Sequence, residues 1–199
     1  MQTLKSLKAI VSAVCAALLA FGATACGLGT AGGYSPSGTL SGPIEGVDLK
    51  GAEVAVGSKN FTEQIILGKM AVILFKSAGA DVEDLTNIPG SNSAREAMLK
   101  GDLNFQWEYT GTAWISYLGH DDPITNEQEQ YGAVLEADRK NGLEWLPPAP
   151  MNNTYGFAIP RAKAEKLGIS KLSDLARLPA SERTFCVESE FANRNDGFQ

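Results

Sequence analysis

The sequence predicts an α/β domain, a sheet layered by helices, carried behind a secretory leader and a tether. Three observations predict it. Strand-like and helix-like segments alternate with short connections from Ala52 onward. A basic and then apolar leader runs into Ala25-Cys26. Between the two lies a run rich in Gly, Ser and Pro.

Residues 1–25 read as the leader. Lys5 and Lys8 form its basic region, and Ala9 to Phe21 is apolar but short for a membrane span. Ala23-Thr24-Ala25 then precedes Cys26, the arrangement of a lipoprotein signal whose cysteine thiol is acylated and becomes the new N-terminus. Ala23 stands where such signals favour Leu, and an ordinary cleaved signal with an incidental Cys26 is the alternative. Cys15 leaves with the leader, so Cys186 is the remaining cysteine and no internal disulfide is expected. Lying in Thr184-Phe185-Cys186-Val187, it is expected to be a buried small hydrophobe rather than a nucleophile.

The chain carries a net charge of −6, and losing the two leader lysines makes the mature part more acidic. An acidic chain with no basic run argues against nucleic acid as a partner. Residues 26–47 are expected to be a tether. Twelve of the twenty residues from Gly27 to Gly46 are Gly, Ser or Pro, too little apolar surface to offset chain entropy.

The folded part starts near Val47. Ala52 to Gly57 reads as a buried strand, and Ser58 to Glu63 opens a helix with Asn60 or Thr62 as N-cap. Ile65, Ile66, Met70, Ile73 and Leu74 recur at helical spacing, and Gly79 ends the run. A strand is expected over Val82 to Ile88. Ser93-Ala94-Arg95-Glu96 has a capping-box pattern for a helix reaching Lys100-Gly101. A strand over Leu103 to Glu108 runs into Tyr109-Thr110-Gly111-Thr112. Further helices are expected over Thr112–Leu118, Asn126–Asn141, Arg161–Leu167 and Ser173–Leu178, and another near Phe191. Tyr155–Ile159 and Thr184–Val187 are expected strands.

Ligands of open α/β sheets gather at the carboxyl ends of strands, where loops meet helix N-termini. Lys59 and Thr112 fall at such turns and form a first candidate site.

Val56-Gly57-Ser58-Lys59-Asn60-Phe61-Thr62-Glu63-Gln64 and Trp107-Glu108-Tyr109-Thr110-Gly111-Thr112 resemble the glycine betaine/carnitine/choline-binding family of ABC transporter receptors. Asn153-Thr154-Tyr155 and Glu190-Phe191-Ala192-Asn193-Arg194-Asn195-Asp196-Gly197 resemble it too, in the same order. The resemblance implies a periplasmic-binding-protein-like two-lobed fold of type II, with a first lobe over residues 48–156 and a second beginning at 157. It also implies that 157–199 is an incomplete second lobe and the chain is truncated. The implied role is the binding component of an importer, anchored to the outer face of the membrane and working with permease and ATPase subunits, without cofactor.

The implied site has a chemical logic. A trimethylammonium group has no N–H donor, so aromatic faces must hold it, at about 0.5–2 kcal/mol each. The resemblance gives Tyr109 and Tyr155 as two cage walls. A betaine carboxylate needs donors, which Lys59, Thr112 and Arg194 supply, Arg194 as a fork-like clamp from the second lobe. The resemblance also places Asn153 at the border of the cage, through its backbone carbonyl. The alternatives are a solvated Lys59, a plain N-cap Thr112, a surface Arg194 and amphipathic surface tyrosines. A neutral Thr112 favours a zwitterion over choline, because an aspartate there would repel a carboxylate.

Two other classes compete. A lipoprotein enzyme would draw on His120 or Cys186, but there is no G-x-S-x-G elbow, P-loop or metal-ligand cluster. A sensing or scaffolding receptor would have the same site as an importer. Asn60-Phe61-Thr62 and Asn152-Asn153-Thr154 match glycosylation sequons by chance.

Overall fold

The computed structural model describes residues 34–194, 197 and 198. The leader and Cys26 lie outside the described residues. The chain divides into two compact units, one ending at Trp107 and one beginning at Glu108.

The first unit is built on a parallel strand pair. β1 (Glu53–Lys59) pairs with β2 (Asp81–Ile88) in the register Glu53↔Asp81 to Gly57↔Leu85, with an irregularity before Lys59↔Ile88. The crossover between them is α1 (Thr62–Ser77), and α2 (Ser91–Lys100) follows β2. The expected strand over 103–108 is reduced to one parallel bridge, Val56↔Phe105. The reason is local: the Ala55 N–H donates to the Asn104 side-chain oxygen at 2.8 Å, so a side chain takes the donor that a longer ladder would use.

Each face of this small sheet has its own core. Val56, Ala71 and Val72 pack with Val54, Phe75, Val82 and Phe105, joining β1 and β2 to α1. Ile88, Ala94, Ala97 and Leu103 pack with Leu85 and Met98, joining β2 to α2. Fully burying a Val, Leu, Ile or Phe side chain in such a core contributes about 1.5–3 kcal/mol. Phe105 stands edge-on to Phe75 at 5.3 Å and to Trp107 at 5.8 Å, and the Trp107 indole N–H donates to Leu67 O at 3.0 Å.

Helix starts differ from expectation. The N-cap of α1 is Phe61, without a side-chain cap, in place of Asn60 or Thr62. α2 starts at Ser91, two residues before the Ser93 pattern, because Gly90 at φ +83° turns the chain earlier. The helix end is as expected, with Gly101 left-handed at the C-cap. The expected tether is held to this unit over part of its described length. Gly38 N–H donates to Ser77 Oγ at 2.8 Å, Ser35 Oγ donates to Asp84 at 3.5 Å, and Gly42–Ile44 forms a 3-10 turn.

The second unit is helical among its described residues. α3 (Thr110–Thr112) widens into a π-turn over Ala113–Tyr117. α4 (Glu127–Arg139) is capped by Asn126, whose side chain accepts from Gln128 N–H and Glu129 N–H at 3.0 Å each. Its end is locked by buried Asp138, which accepts from Trp145 Nε1 at 2.7 Å and Asn141 Nδ2 at 3.0 Å. α5 (Arg161–Leu167) has the expected bounds, Leu172–Arg177 is a 3-10 helix, and α6 (Ser189–Ala192) is short.

The strands expected over 155–159 and 184–187 are absent. A strand needs a partner for its backbone groups, and among the described residues neither segment pairs with one. Their side chains are correspondingly exposed, Phe157, Phe185 and Val187 among them. Cys186 is exposed as well, which overturns its reading as a buried hydrophobe.

Candidate functional site

In the first unit, β1 ends on Lys59. The pairing with β2 slips between Gly57 and Lys59. Lys59 is 1% exposed, the largest of the fully buried side chains, so it is not a solvated surface lysine. Its surroundings are polar and fixed. Ser58 Oγ donates to Lys59 O at 3.0 Å and accepts the Asn87 N–H at 3.0 Å. The Lys59 N–H donates to Gln64 Oε1 at 3.4 Å. Gln64 Nε2 is buried and has no hydrogen-bond partner among the described residues.

Close packing holds this strand end in place. A Cβ at Gly68 of α1 would lie 2.7 Å from Thr86 Cγ2 and 3.0 Å from Ser58 Cβ. The helix therefore approaches β1 and β2 at a distance only glycine allows.

In the second unit, two expected site residues converge on the guanidinium of a third. Arg194 Nη1 donates to the Tyr155 hydroxyl at 3.2 Å, and Nη2 donates to Thr112 Oγ1 at 3.5 Å. The Arg194 Cζ lies 5.7 Å from the Tyr155 ring centroid. Thr112 is buried, and the Arg194 side chain is 11% exposed, which rules out a free surface arginine. Tyr155 is 61% exposed.

Tyr109 stands at the N-cap position of α3, three residues before Thr112. Its N–H donates to Glu108 Oε1 at 2.8 Å, and Glu108 Oε2 accepts from Tyr117 at 2.9 Å, which fixes the turn. Asn153 is exposed, beside a turn in which Asn152 accepts from Thr154 N–H at 2.9 Å.

Two residues of this cluster were not assigned from sequence. Phe191 packs against Tyr155 with ring centroids 4.6 Å apart. Glu190 sits one helical turn before Arg194, with its carboxylate 3.9 Å from Nη1. The i,i+4 charge spacing was a usable signal for Glu190, and the aromatic in the same motif for Phe191. The residues of the enzyme alternative stand elsewhere: exposed His120 stacks on Trp114 at 3.5 Å.

The family model described as the substrate binding domain of ABC-type glycine betaine transport systems, OpuAC, matches residues 52–199. The chain belongs to this family. It is 41% identical over 150 residues to a glycine-betaine-binding protein of Pseudomonas aeruginosa, an alignment covering 71% of this chain and 48% of that protein. It is 33% identical to the glycine betaine-binding protein YehZ of Escherichia coli, over 72% of this chain and 48% of that one. The solved structure of apo YehZ superposes with a TM-score of 0.50 at 33% identity, covering 73% of this chain and 53% of that chain. A third relative, the ergothioneine transport permease/binding protein EgtU of Helicobacter pylori, is 31% identical over 73% of this chain and 26% of that protein.

The chain thus spans about half the length of the glycine betaine-binding relatives it matches. The OpuAC family is one of transport substrate-binding domains, and its α/β fold accords with the fold class expected from the sequence.

Proposed function

We propose that this chain binds a betaine-type zwitterion as the extracytoplasmic substrate-binding component of an ABC importer. The observation that carries the reading is the Arg194 guanidinium, held between the Thr112 and Tyr155 hydroxyls. A cation beside an exposed aromatic ring suits a ligand with a carboxylate at one end and a methylated ammonium at the other.

In this reading Tyr155 and Tyr109 are walls of an aromatic cage, and Asn153 borders it. Arg194 and Thr112 take the carboxylate. Lys59 is proposed as a ligand-binding cation, a role that rests on the family resemblance. The two-lobed trap and its lobes over 48–156 and from 157 onward rest on that resemblance as well. So do the lipid anchor at Cys26 and the permease and ATPase partners. No helix among the described residues is long and apolar enough to cross a membrane.

Calorimetric titration of the 199-residue chain with glycine betaine, carnitine and choline tests the reading. Saturable binding that prefers betaine, lost in Tyr109→Ala, supports it. Failure of all three ligands to bind overturns it. Ergothioneine belongs in the same series, since the relative EgtU is named for it.

A further inference from the structure

We propose that Glu190 is a specificity-determining residue, an internal carboxylate that sets how strongly Arg194 attracts an acidic ligand group. The inference rests on the betaine reading above and goes beyond it, because Glu190 has no place in the cage or the clamp.

The observations are geometric. Glu190 belongs to α6, and Arg194 follows one helical turn later, with Oε1 of Glu190 3.9 Å from Nη1 of Arg194. That same Nη1 donates to the Tyr155 hydroxyl at 3.2 Å. The Glu190 side chain is 28% exposed and that of Arg194 11%, so the pair is only partly screened by water. Phe191, next to Glu190, packs on the Tyr155 ring at 4.6 Å and fixes the helix against the proposed cage wall.

A distance of 3.9 Å is long for a charge-assisted hydrogen bond. Glu190 therefore acts through its field rather than by filling the donor geometry of Arg194. Nη2 is directed at Thr112 rather than at Glu190. The Glu190 charge opposes a ligand carboxylate and favours the ammonium end. Its effect has opposite signs for a zwitterion and a plain cation. The residue is a balance between the two ligand types, not a uniform contributor to affinity.

Glu190→Gln removes the charge and keeps the shape. The Kd ratio of choline to glycine betaine, measured by calorimetry on the full chain, is expected to rise about five-fold, the size of a partly exposed ion-pair effect. Glu190→Asp keeps the charge and is expected to stay near the original ratio. An unchanged ratio in Glu190→Gln, with betaine still bound, overturns the proposal and leaves the betaine reading standing.

A second measurement uses acetate alone as the probe, read as a rise in melting temperature. Acetate is expected to stabilise Glu190→Gln more than the parent chain. If no trimethylammonium compound binds the parent but this difference appears, the betaine reading fails and the role of Glu190 stands. If acetate stabilises both chains equally, Glu190 does not tune the Arg194 field and the proposal is lost.

Discussion

Arg194 reaches across 39 residues of chain to donate to the hydroxyl of Tyr155, at 3.2 Å, while its guanidinium carbon lies 5.7 Å from the same ring's centroid. The tyrosine thus offers two separable groups, a hydroxyl that accepts from the guanidinium and a ring face that the proposed function assigns to a methylated ammonium.

Tyr155→Phe removes the acceptor and keeps the face. It is expected to weaken betaine binding by about 0.5–1.5 kcal/mol, the net value of one hydrogen bond. Tyr155→Ala removes both and should cost a further ~0.5–2 kcal/mol. Calorimetry on the two variants checks the order. Equal losses would mean that the ring face contributes nothing.

Thr112 gives the second prediction. Its buried hydroxyl accepts from Arg194 Nη2 at 3.5 Å. In Thr112→Asp the new carboxylate pairs with that guanidinium and repels a ligand carboxylate. Betaine affinity is expected to fall by about tenfold or more relative to choline, a change of roughly 1.4 kcal/mol in the difference between them. A choline-to-betaine ratio unmoved by this change would refute the assignment of Thr112 to the carboxylate end.

Much of the first unit was legible because its signals are local. The α1 crossover follows from the spacing of Ile65, Ile66, Met70, Ile73 and Leu74, and Gly101 marks the end of α2 by its left-handed backbone. Helix starts were less legible, since Phe61 and Gly90 cap through backbone shape rather than through a recognisable side chain. The strands expected in the second unit failed for a different reason. An apolar run such as Tyr155–Ile159 signals a strand only if a partner exists, and partners are non-local. The convergence of Thr112, Tyr155 and Arg194 was anticipated only through the family motifs. No periodicity joins residues separated by 82 and 39 positions.

Gly68 yields a stability prediction. A methyl group there meets Thr86 Cγ2 at 2.7 Å and Ser58 Cβ at 3.0 Å. Thr86 is β-branched and buried, and Ser58 Cβ is fixed to the strand, so neither can move aside cheaply. Alanine in a free helix would gain about 1 kcal/mol over glycine. Here the overpacking, about 1–3 kcal/mol, is expected to win. Gly68→Ala should therefore lower the midpoint of urea unfolding, and an unchanged or raised midpoint would show that α1 can shift off β1 freely.

The ion pair between Lys69 of α1 and Asp84 of β2 makes the stability of the first unit depend on acid. Burial acts to raise the Asp84 pKa. The hydrogen bonds from the Lys69 ammonium and from the Thr86 hydroxyl and N–H outweigh it, and the net direction is below the ordinary carboxylate value. The Thr86 hydroxyl donates to Oδ1 at 2.7 Å, and the Ser35 hydroxyl donates to Oδ2 at 3.5 Å. A carboxylate with a folded pKa below its unfolded one binds more protons when unfolded. Its stabilisation is complete above the unfolded pKa, near 4, and is lost as pH falls through the folded value. Asp84→Asn removes the titrating group while leaving the Lys69 ammonium partly buried. It is expected to cost about 1–3 kcal/mol at pH 7. The gap between variant and parent should then narrow as pH falls below ~4, where the parent loses the same charge. Urea unfolding at pH 7, 5 and 3 measures this directly. A gap that stays constant across the three would mean that the carboxylate charge contributes nothing and that the loss comes from packing alone.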